Sequence, residues 1–192
     1  INKAFTQSGS TANYFGMELG YDKTLTSNGN TTFTPLYNGD MAGQIWKSKG
    51  DGIARKYDYI YDNVGRLSSA GFLQNSSGTT WDKSAMDYSV NNIGYDYNGN
   101  ILNLNQNGFV LGGAPNIDNL SYKYLNGDQS NQLMNVIDGA NNAQSKLGDF
   151  HYSVIKTPSS LDYQYDFNGN RKSDVSKNIS LITFNVLNLP SV

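Results

Sequence analysis

The sequence predicts an all-β protein built from tandem antiparallel β-hairpins. Composition is the first reason: the 192 residues include 26 Asn, 20 Gly, 15 Asp and 14 Tyr, but a single Glu, Glu18. Asn, Asp and Gly favour turns and Tyr favours strands, whereas helices draw on Ala, Leu, Glu and Lys. A repeated turn pattern and the alternation of aromatic residues before it are the second and third reasons. Together they indicate short strands joined by many tight turns.

The repeated pattern is Tyr-Asp-x-x-Gly followed by a polar residue. Three clear copies lie within 56–67, 94–102 and 164–172. A repeated unit that cannot bury its own face must pack against its neighbours, so such a repeat predicts an array. The pattern residues are Tyr61, Asp62, Gly65 and Arg66 in the first copy, Tyr95, Asp96, Gly99 and Asn100 in the second, and Tyr165, Asp166, Gly169 and Asn170 in the third.

Each copy has the features of a hairpin. Aromatic residues alternate before the turn, at 57, 59 and 61, at 95 and 97, and at 163, 165 and 167, which places each set on one face of a strand. Asn98-Gly99 and Asn168-Gly169 predict type I′ turns. The Asp of each copy is placed to accept backbone N–H groups within its turn.

Weaker copies extend the array. Tyr37 precedes Asn38-Gly39, Tyr124 precedes a longer turn around Gly127, and Phe184 takes the tyrosine position near the end of the chain. The tyrosines or their equivalents thus fall at 37, 61, 95, 124, 165 and 184. In the last copy Asn188 replaces the Gly, and Asn tolerates positive φ better than most residues. We expect 75–92 and 139–160 to be insertions, and 1–192 to be one repeat array cut from a longer one.

Several functional classes do not fit these data. Cysteine is absent, so disulfides and thiolate metal sites are excluded. A net charge of −2 and a pI near 5.2 argue against nucleic-acid binding. No apolar run reaches the roughly 18 residues of a membrane span, and no signal peptide opens the chain.

No catalytic, cofactor-binding or metal-binding residue is assigned. In the turns that begin at Asp96 and Asp166 the Gly is fourth, and position 12 is Asn107 or Lys177, unlike a calcium loop of the EF-hand kind. His151 is the single histidine and has no local catalytic partner. The sequence therefore predicts a non-enzymatic protein without a cofactor.

The Tyr-Asp-x-x-Gly-Arg and Tyr-Asp-x-Asn-Gly-Asn motifs resemble the YD repeats of the RHS family, which also occur in teneurins. The segments 93–108, 119–133 and 182–190 are similar to RHS proteins of Bacteroidetes, and the resemblance runs from Tyr14 to Pro190. It implies a β-sheet that curves into a hollow shell around a C-terminal toxin. The family's self-cleaving core motif is missing, since no Asp-Pro dipeptide occurs.

The resemblance implies a structural segment of a secreted or cell-surface bacterial protein, whose shell encloses an effector used against competing bacteria. The implied partners are the other repeats, the effector and secretion machinery, for which a type IX route is plausible. The alternative is an adhesin or carbohydrate-binding module that stacks exposed tyrosines on sugar rings. Burial of Tyr61, Tyr95 and Tyr165 favours the first, because aromatic side chains that form ladders across hairpins are packed and hydrogen-bonded.

Overall fold

The computed structural model of the chain describes residues 14–26, 31–110, 116–141 and 148–191, which contain thirteen strands and very little helix. The strands are β1 (Phe15–Gly20), β2 (Gly43–Ser48), β3 (Ala54–Tyr61), β4 (Leu67–Ser77), β5 (Thr80–Asp82), β6 (Val90–Tyr95), β7 (Ile101–Asn107), β8 (Asn116–Tyr124), β9 (Leu133–Asp138), β10 (Tyr163–Tyr165), β11 (Arg171–Asp174), β12 (Thr183–Phe184) and β13 (Pro190–Ser191). A 3₁₀ turn covers Val175–Lys177. Leu125–Asp128 is a four-residue turn in which Asn126 and Gly127 have positive φ. No helix in the described ranges has the length and hydrophobicity of a membrane span.

The first nine strands form one antiparallel sheet that does not close. Its order is β1-β2-β3-β4-β6-β7-β8-β9, with β5 paired to β4, and β10–β11 and β12–β13 form two further two-stranded sheets. The prediction of an all-β fold of antiparallel hairpins is confirmed. The prediction of one continuous sheet is wrong in the described residues, because the last two hairpins are joined to their predecessors by only a few backbone bonds, such as those from Asp162 N to Met134 O and from Ile182 N to Lys172 O.

Residue contacts divide the chain into two compact units, 1–92 with 106–115 and 93–105 with 116–192. In the first unit, Phe33 packs with Ala42 and Ile45 on one face of the sheet. Phe33 also covers Gly20 and Gly43, which are cross-strand partners at the end of the β1–β2 hairpin. Glycine is required there because a Cβ on either residue would overlap the Phe33 ring.

In the second unit, the core lies on the β8–β9 hairpin. Leu120, Val136 and Tyr163 form its buried centre. Phe150 and Tyr165 pack against them from the segments that follow. This packing holds residues 148–165 against the hairpin.

The turns differ from the predicted type I′. Gly65, Gly99 and Gly169 have φ of 83°, 86° and 84°, but Asn98 and Asn168 are not among the residues with positive φ. In each turn the Gly N–H donates to the carbonyl of the Asp three residues earlier, as from Gly99 to Asp96 at 3.2 Å. This is a type I turn followed by a residue in the left-handed conformation, for which Asp at the first position and Gly at the fourth are the preferred residues. Asn188 takes the same conformation, with φ of 57°, in the last turn.

Three aromatic positions also differ from the prediction. Tyr37 does not close a strand: it is 82% exposed in the loop between β1 and β2, and Tyr21 is the tyrosine that directly follows β1. Tyr97 and Phe167 are fully exposed at the turn tips, so the alternating face ends at Tyr95 and Tyr165. In each case the residue lies outside a strand, so the alternation of side chains between the two faces of a sheet does not apply to it.

Candidate functional site

Three of the predicted tyrosines connect their hairpins to the hairpin before. The Tyr61 hydroxyl donates to Met41 O at 2.9 Å, and the Tyr165 hydroxyl donates to Leu133 O at 3.0 Å. Tyr124 makes the equivalent bond to Ile101 O at 2.9 Å. Each acceptor lies at or near the first residue of the second strand of the preceding hairpin: Met41 before β2, Ile101 in β7 and Leu133 in β9. Tyr95, at the end of β6, is half-buried like Tyr61 and Tyr165.

Burial favours the neutral, hydrogen-bond-donating form of these phenols. It is the main reason that the pKa values of Tyr61, Tyr124 and Tyr165 lie above the ordinary value of 10.0. The same effect raises the pKa of Tyr57 to about 12, and its hydroxyl donates to Tyr88 O at 2.9 Å. These hydroxyls therefore remain protonated and hydrogen-bonded at any physiological pH.

The Asp of each signature copy braces its own turn. Asp62 Oδ1 accepts the N–H groups of Val64 and Arg66, and Oδ2 accepts Arg66 Nε at 2.7 Å. Asp166 accepts the N–H groups of Asn168 and Asn170 and the side-chain amide of Asn170 in the same way. The bond from the Arg66 N–H is the largest reason that the pKa of Asp62 is low, and the Asn170 side-chain amide is the largest for Asp166.

The last residue of the signature connects successive turns. Asn100 Nδ2 donates both to Asp96 Oδ2 at 2.7 Å and to Asn131 Oδ1, in the next turn, at 2.9 Å. Asn170 repeats this arrangement with Asp166 Oδ2 and Asn188 Oδ1, both at 2.9 Å. A primary amide has two donor hydrogens, so one side chain bonds within its turn and to its neighbour.

A group of aromatic residues packs on the face of the first unit's sheet opposite to the Phe33 cluster. Trp46 stacks on Tyr57 with centroids 5.5 Å apart, and Tyr57 stacks on Tyr59 at 6.1 Å. Phe72, 1% exposed, meets Tyr57 edge-on at 5.5 Å. Trp81 packs instead against the Phe33 cluster. Both tryptophans therefore make packing contacts, which the sequence alone does not assign.

A cavity of about 580 Å³ lies beside β3 in the same unit. Tyr59 and Tyr61 form part of its wall, together with Leu36. Asp40 and Asp58 contribute carboxylates to the lining. Aromatic faces beside polar oxygens are a combination that can hold a small polar ligand.

Three carboxylates distant in sequence meet in the second unit. Asp118 lies on β8, Asp138 ends β9, and Asp149 precedes Phe150 in the segment packed on this hairpin. One oxygen from each lies within 4.8 Å of the others. Asp118 and Asp138 are 2% and 3% exposed, and the Asp149 side chain is 1% exposed. We call these three residues the acidic cluster.

Hydrogen bonds satisfy the acidic cluster unevenly. Asp138 accepts the N–H groups of Asn119, Ala140 and Asn141, and Asp118 accepts Phe150 N–H at 2.8 Å. Both carboxylate oxygens of Asp149 are buried, and the Asp118 carboxyl is their one hydrogen-bond partner among the described residues. Burial is the main reason that the pKa of Asp118 rises to about 6, against the lowering effect of the Phe150 N–H bond. A hydrogen bond with the Asp149 carboxyl and the negative charges of Asp149 and Asp138 also raise it.

No protein-family model matches the chain, and no curated protein is significantly similar to it. The fold and its contacts define an all-β protein of successive hairpins, tied together at their turns. The bonds of Asn131 and Asn188, and the acidic cluster, were not predicted from the sequence. Phe184 at the tyrosine position and Asn188 at the Gly position marked the last turn in the sequence, whereas nothing in the spacing of Asp118, Asp138 and Asp149 indicates that they meet.

Proposed function

We propose that the chain is a wall segment of an RHS-type YD-repeat shell, in a bacterial protein that is secreted or displayed on the cell surface. The shell encloses a C-terminal effector used against competing bacteria. The function of this segment is mechanical: paired strands and packed aromatic side chains separate the enclosed domain from solvent and proteases. The motif resemblance supplies the family and the effector in this proposal.

One observation carries the proposal. Tyr61, Tyr124 and Tyr165 each donate to a main-chain carbonyl of the preceding hairpin at 2.9–3.0 Å. A tyrosine that recognises a ligand leaves its ring and hydroxyl open to that ligand, whereas these hydroxyls are used within the protein. The repeated residue therefore supports a structural role.

The amide bridges support the same role. Asn100 and Asn170 connect their own turns to the turns that follow. The β6–β7 and β8–β9 hairpins are thus held together at their turn ends as well as along paired strands, and the β10–β11 and β12–β13 hairpins at their turn ends. Hairpins held together by more than one kind of contact suit a wall that must keep an enclosed domain separated from solvent.

The gene sequence downstream of Val192 and a protease assay on the full-length parent protein test this proposal. We expect the downstream sequence to encode a core segment and a variable C-terminal domain, and we expect that domain to resist added protease. Tyr124→Phe and Tyr165→Phe should speed its cleavage, and Tyr97→Phe, which alters a fully exposed ring, should not. A C-terminal domain cleaved at the same rate with or without the repeats contradicts enclosure.

A second candidate function is carbohydrate binding. The cavity beside β3 favours it, because Tyr59 and Tyr61 lie next to the carboxylates of Asp40 and Asp58. A glycan array tests it directly. Binding of a glycan that is lost in Tyr59→Ala and kept in Tyr97→Ala would establish carbohydrate binding in place of enclosure. If the unaltered chain binds no glycan on the array, this candidate function is ruled out.

A further inference from the structure

The acidic cluster places three carboxylates in the interior, and no cation from the described residues compensates them. Among the described residues, no Lys or Arg forms an ion pair with Asp118, Asp138 or Asp149. His151 Nδ1 lies 3.9 Å from Asp149 Oδ2, but its side chain is 47% exposed. Burial of unpaired carboxylates is strongly unfavourable, so buried charges in proteins are paired or bind metals.

Lys156, which packs on Tyr152 near this cluster, is already paired with other groups. Lys156 Nζ lies 4.0 Å from the centroid of the Tyr152 ring, whose hydroxyl donates to Asp138 O. The ammonium group itself pairs with Asp162 at 2.7 Å and donates to Val136 O and Ser176 Oγ. Its three donor hydrogens are therefore committed, and it does not neutralise the cluster.

Asp149 is the most informative member. Its carboxylate is aimed at the other two and its side chain is 1% exposed. Among the described residues, neither oxygen accepts a hydrogen bond from a group outside the cluster. Asn141, whose N–H donates to Asp138, also has a buried side-chain oxygen without a partner. Buried oxygens without donors are rare in folded proteins, and a bound ion is one of the few physical reasons for them.

We propose that Asp118, Asp138 and Asp149 bind a calcium ion. Every available ligand is a hard oxygen, and neither Cys nor His lies in the set, which excludes the ligand chemistry typical of zinc or copper. Ligands on opposite sides of Ca²⁺ are about 4.6–5.2 Å apart, so separations up to 4.8 Å fit within its coordination sphere. Magnesium requires shorter contacts and near-ideal octahedral geometry, which carboxylates already fixed by backbone N–H groups cannot easily adopt. The Asn141 side-chain oxygen is a candidate fourth ligand.

Bound calcium would join three segments of the second unit. Asp118 and Asp138 belong to paired strands, and Asp149 belongs to the segment that carries Phe150 and Tyr152 onto the core. The ion would hold this segment against the hairpin and remove the repulsion between the carboxylates. Binding should therefore stabilise the folded chain.

Calorimetric titration of CaCl₂ into the EDTA-treated 192-residue chain tests the proposal directly, with MgCl₂ titrated in parallel. We expect one calcium per chain with a Kd of about 1 mM or lower, and binding of magnesium at least about tenfold weaker. Calcium at about one hundred times the Kd should raise the Tm by about 5–10 °C. Tighter binding of magnesium than of calcium would overturn the choice of ion.

Asp149→Asn distinguishes a bound ion from a proton shared between the carboxylates. The variant should lose at least about tenfold in calcium affinity. In EDTA it should unfold at the same temperature as the unaltered chain or higher, because one of three buried charges is gone. Asp22→Asn removes an exposed carboxylate of the first unit and should leave both the Kd and the Tm unchanged.

Two results would overturn the site. Absence of both binding heat and a Tm shift at about 10 mM CaCl₂, well above the weakest affinities of calcium modules, would mean that Asp118 and Asp149 share a proton instead. Undiminished calcium binding by Asp149→Asn would place the ion elsewhere. If Asp149→Asn does not fold, Asp118→Asn serves the same purpose, and the titration of the unaltered chain remains decisive alone.

Discussion

Lys156 and Asp162 form an ion pair that is almost completely removed from solvent. Lys156 Nζ lies 2.7 Å from Asp162 Oδ2, and the two side chains are 1% and 2% exposed. Asp162 also takes part in the backbone link between β9 and the segment before β10, through its N–H to Met134 O. Lys156 Nζ also donates to Val136 O, so the two paired residues together hold the segment 156–162 against β9.

Removal of one partner should destabilise the protein strongly. Lys156→Met leaves the Asp162 carboxylate buried without its cation, and we expect a loss of about 3–5 kcal/mol in the free energy of unfolding. Urea denaturation measures it. Lys123→Met, at the exposed pair with Asp128, is the control and should cost less than about 1 kcal/mol. Equal losses in the two variants would contradict the buried pair.

Tyr165→Phe tests the bond between hairpins. It removes the donor to Leu133 O and keeps the ring, so the free energy of unfolding should fall by about 1 kcal/mol. Tyr97→Phe, at a fully exposed ring, should change it by less than about 0.5 kcal/mol. If Tyr165→Phe is as stable as the unaltered chain, the hydroxyl bond to Leu133 O does not contribute to stability and the prediction is wrong.

Gly43→Ala should also be destabilising. Its Cβ would overlap Tyr57 O and lie 2.7 Å from Phe33 Cδ1, and the main-chain oxygen cannot move away easily. Overpacking of this kind costs about 1–3 kcal/mol. Gly50→Ala meets only Ser48 Oγ, at 3.8 Å, and should be neutral or slightly stabilising. Thermal unfolding of both variants measures the difference.

The turn carboxylates should make the free energy of unfolding depend on pH in the acidic range. Hydrogen bonds hold the pKa of Asp166 below its ordinary value of 3.8. Its contribution to stability is therefore complete above the unfolded pKa of about 3.9 and is lost as the pH falls through the lower folded pKa. The variant Asp166→Asn should lose less stability than the unaltered chain as the pH falls. At pH 7 it should keep most of the stability of the turn. Asn185 already accepts the equivalent N–H groups of Leu187 and Leu189 through its amide oxygen.

Urea midpoints measured between about pH 5 and pH 2.5, on either side of the ordinary aspartate pKa, test this dependence. Asp22→Asn, at an exposed position, is the control and should retain the full acid sensitivity of the turn. A variant Asp166→Asn with unchanged acid sensitivity would show that the brace does not depend on charge.

The sequence predicts local structure better than it predicts contacts between distant segments. The hairpins around Gly65, Gly99 and Gly169 follow from turn residues and alternating aromatics, because both act within a few positions of the chain. The turn type was mistaken since Asn-Gly suits type I′, whereas the Asp three residues before the Gly favours type I. Tyr37 was mistaken for a strand end because an insertion separates Tyr21 from β2. The acidic cluster and the Lys156–Asp162 pair depend on how the segments around 149 and 156–162 pack, which no local pattern encodes.

The direction of the tyrosine bonds has a consequence for how the chain is made. Tyr61, Tyr124 and Tyr165 each reach backwards, to carbonyls 20, 23 and 32 residues earlier. Whenever a hairpin emerges from a ribosome or an export channel, its acceptor has already emerged. These tyrosine bonds can therefore form during growth from the N-terminus to the C-terminus without later sequence, whereas the amide bridges of Asn100 and Asn170 form only once the following turn has emerged.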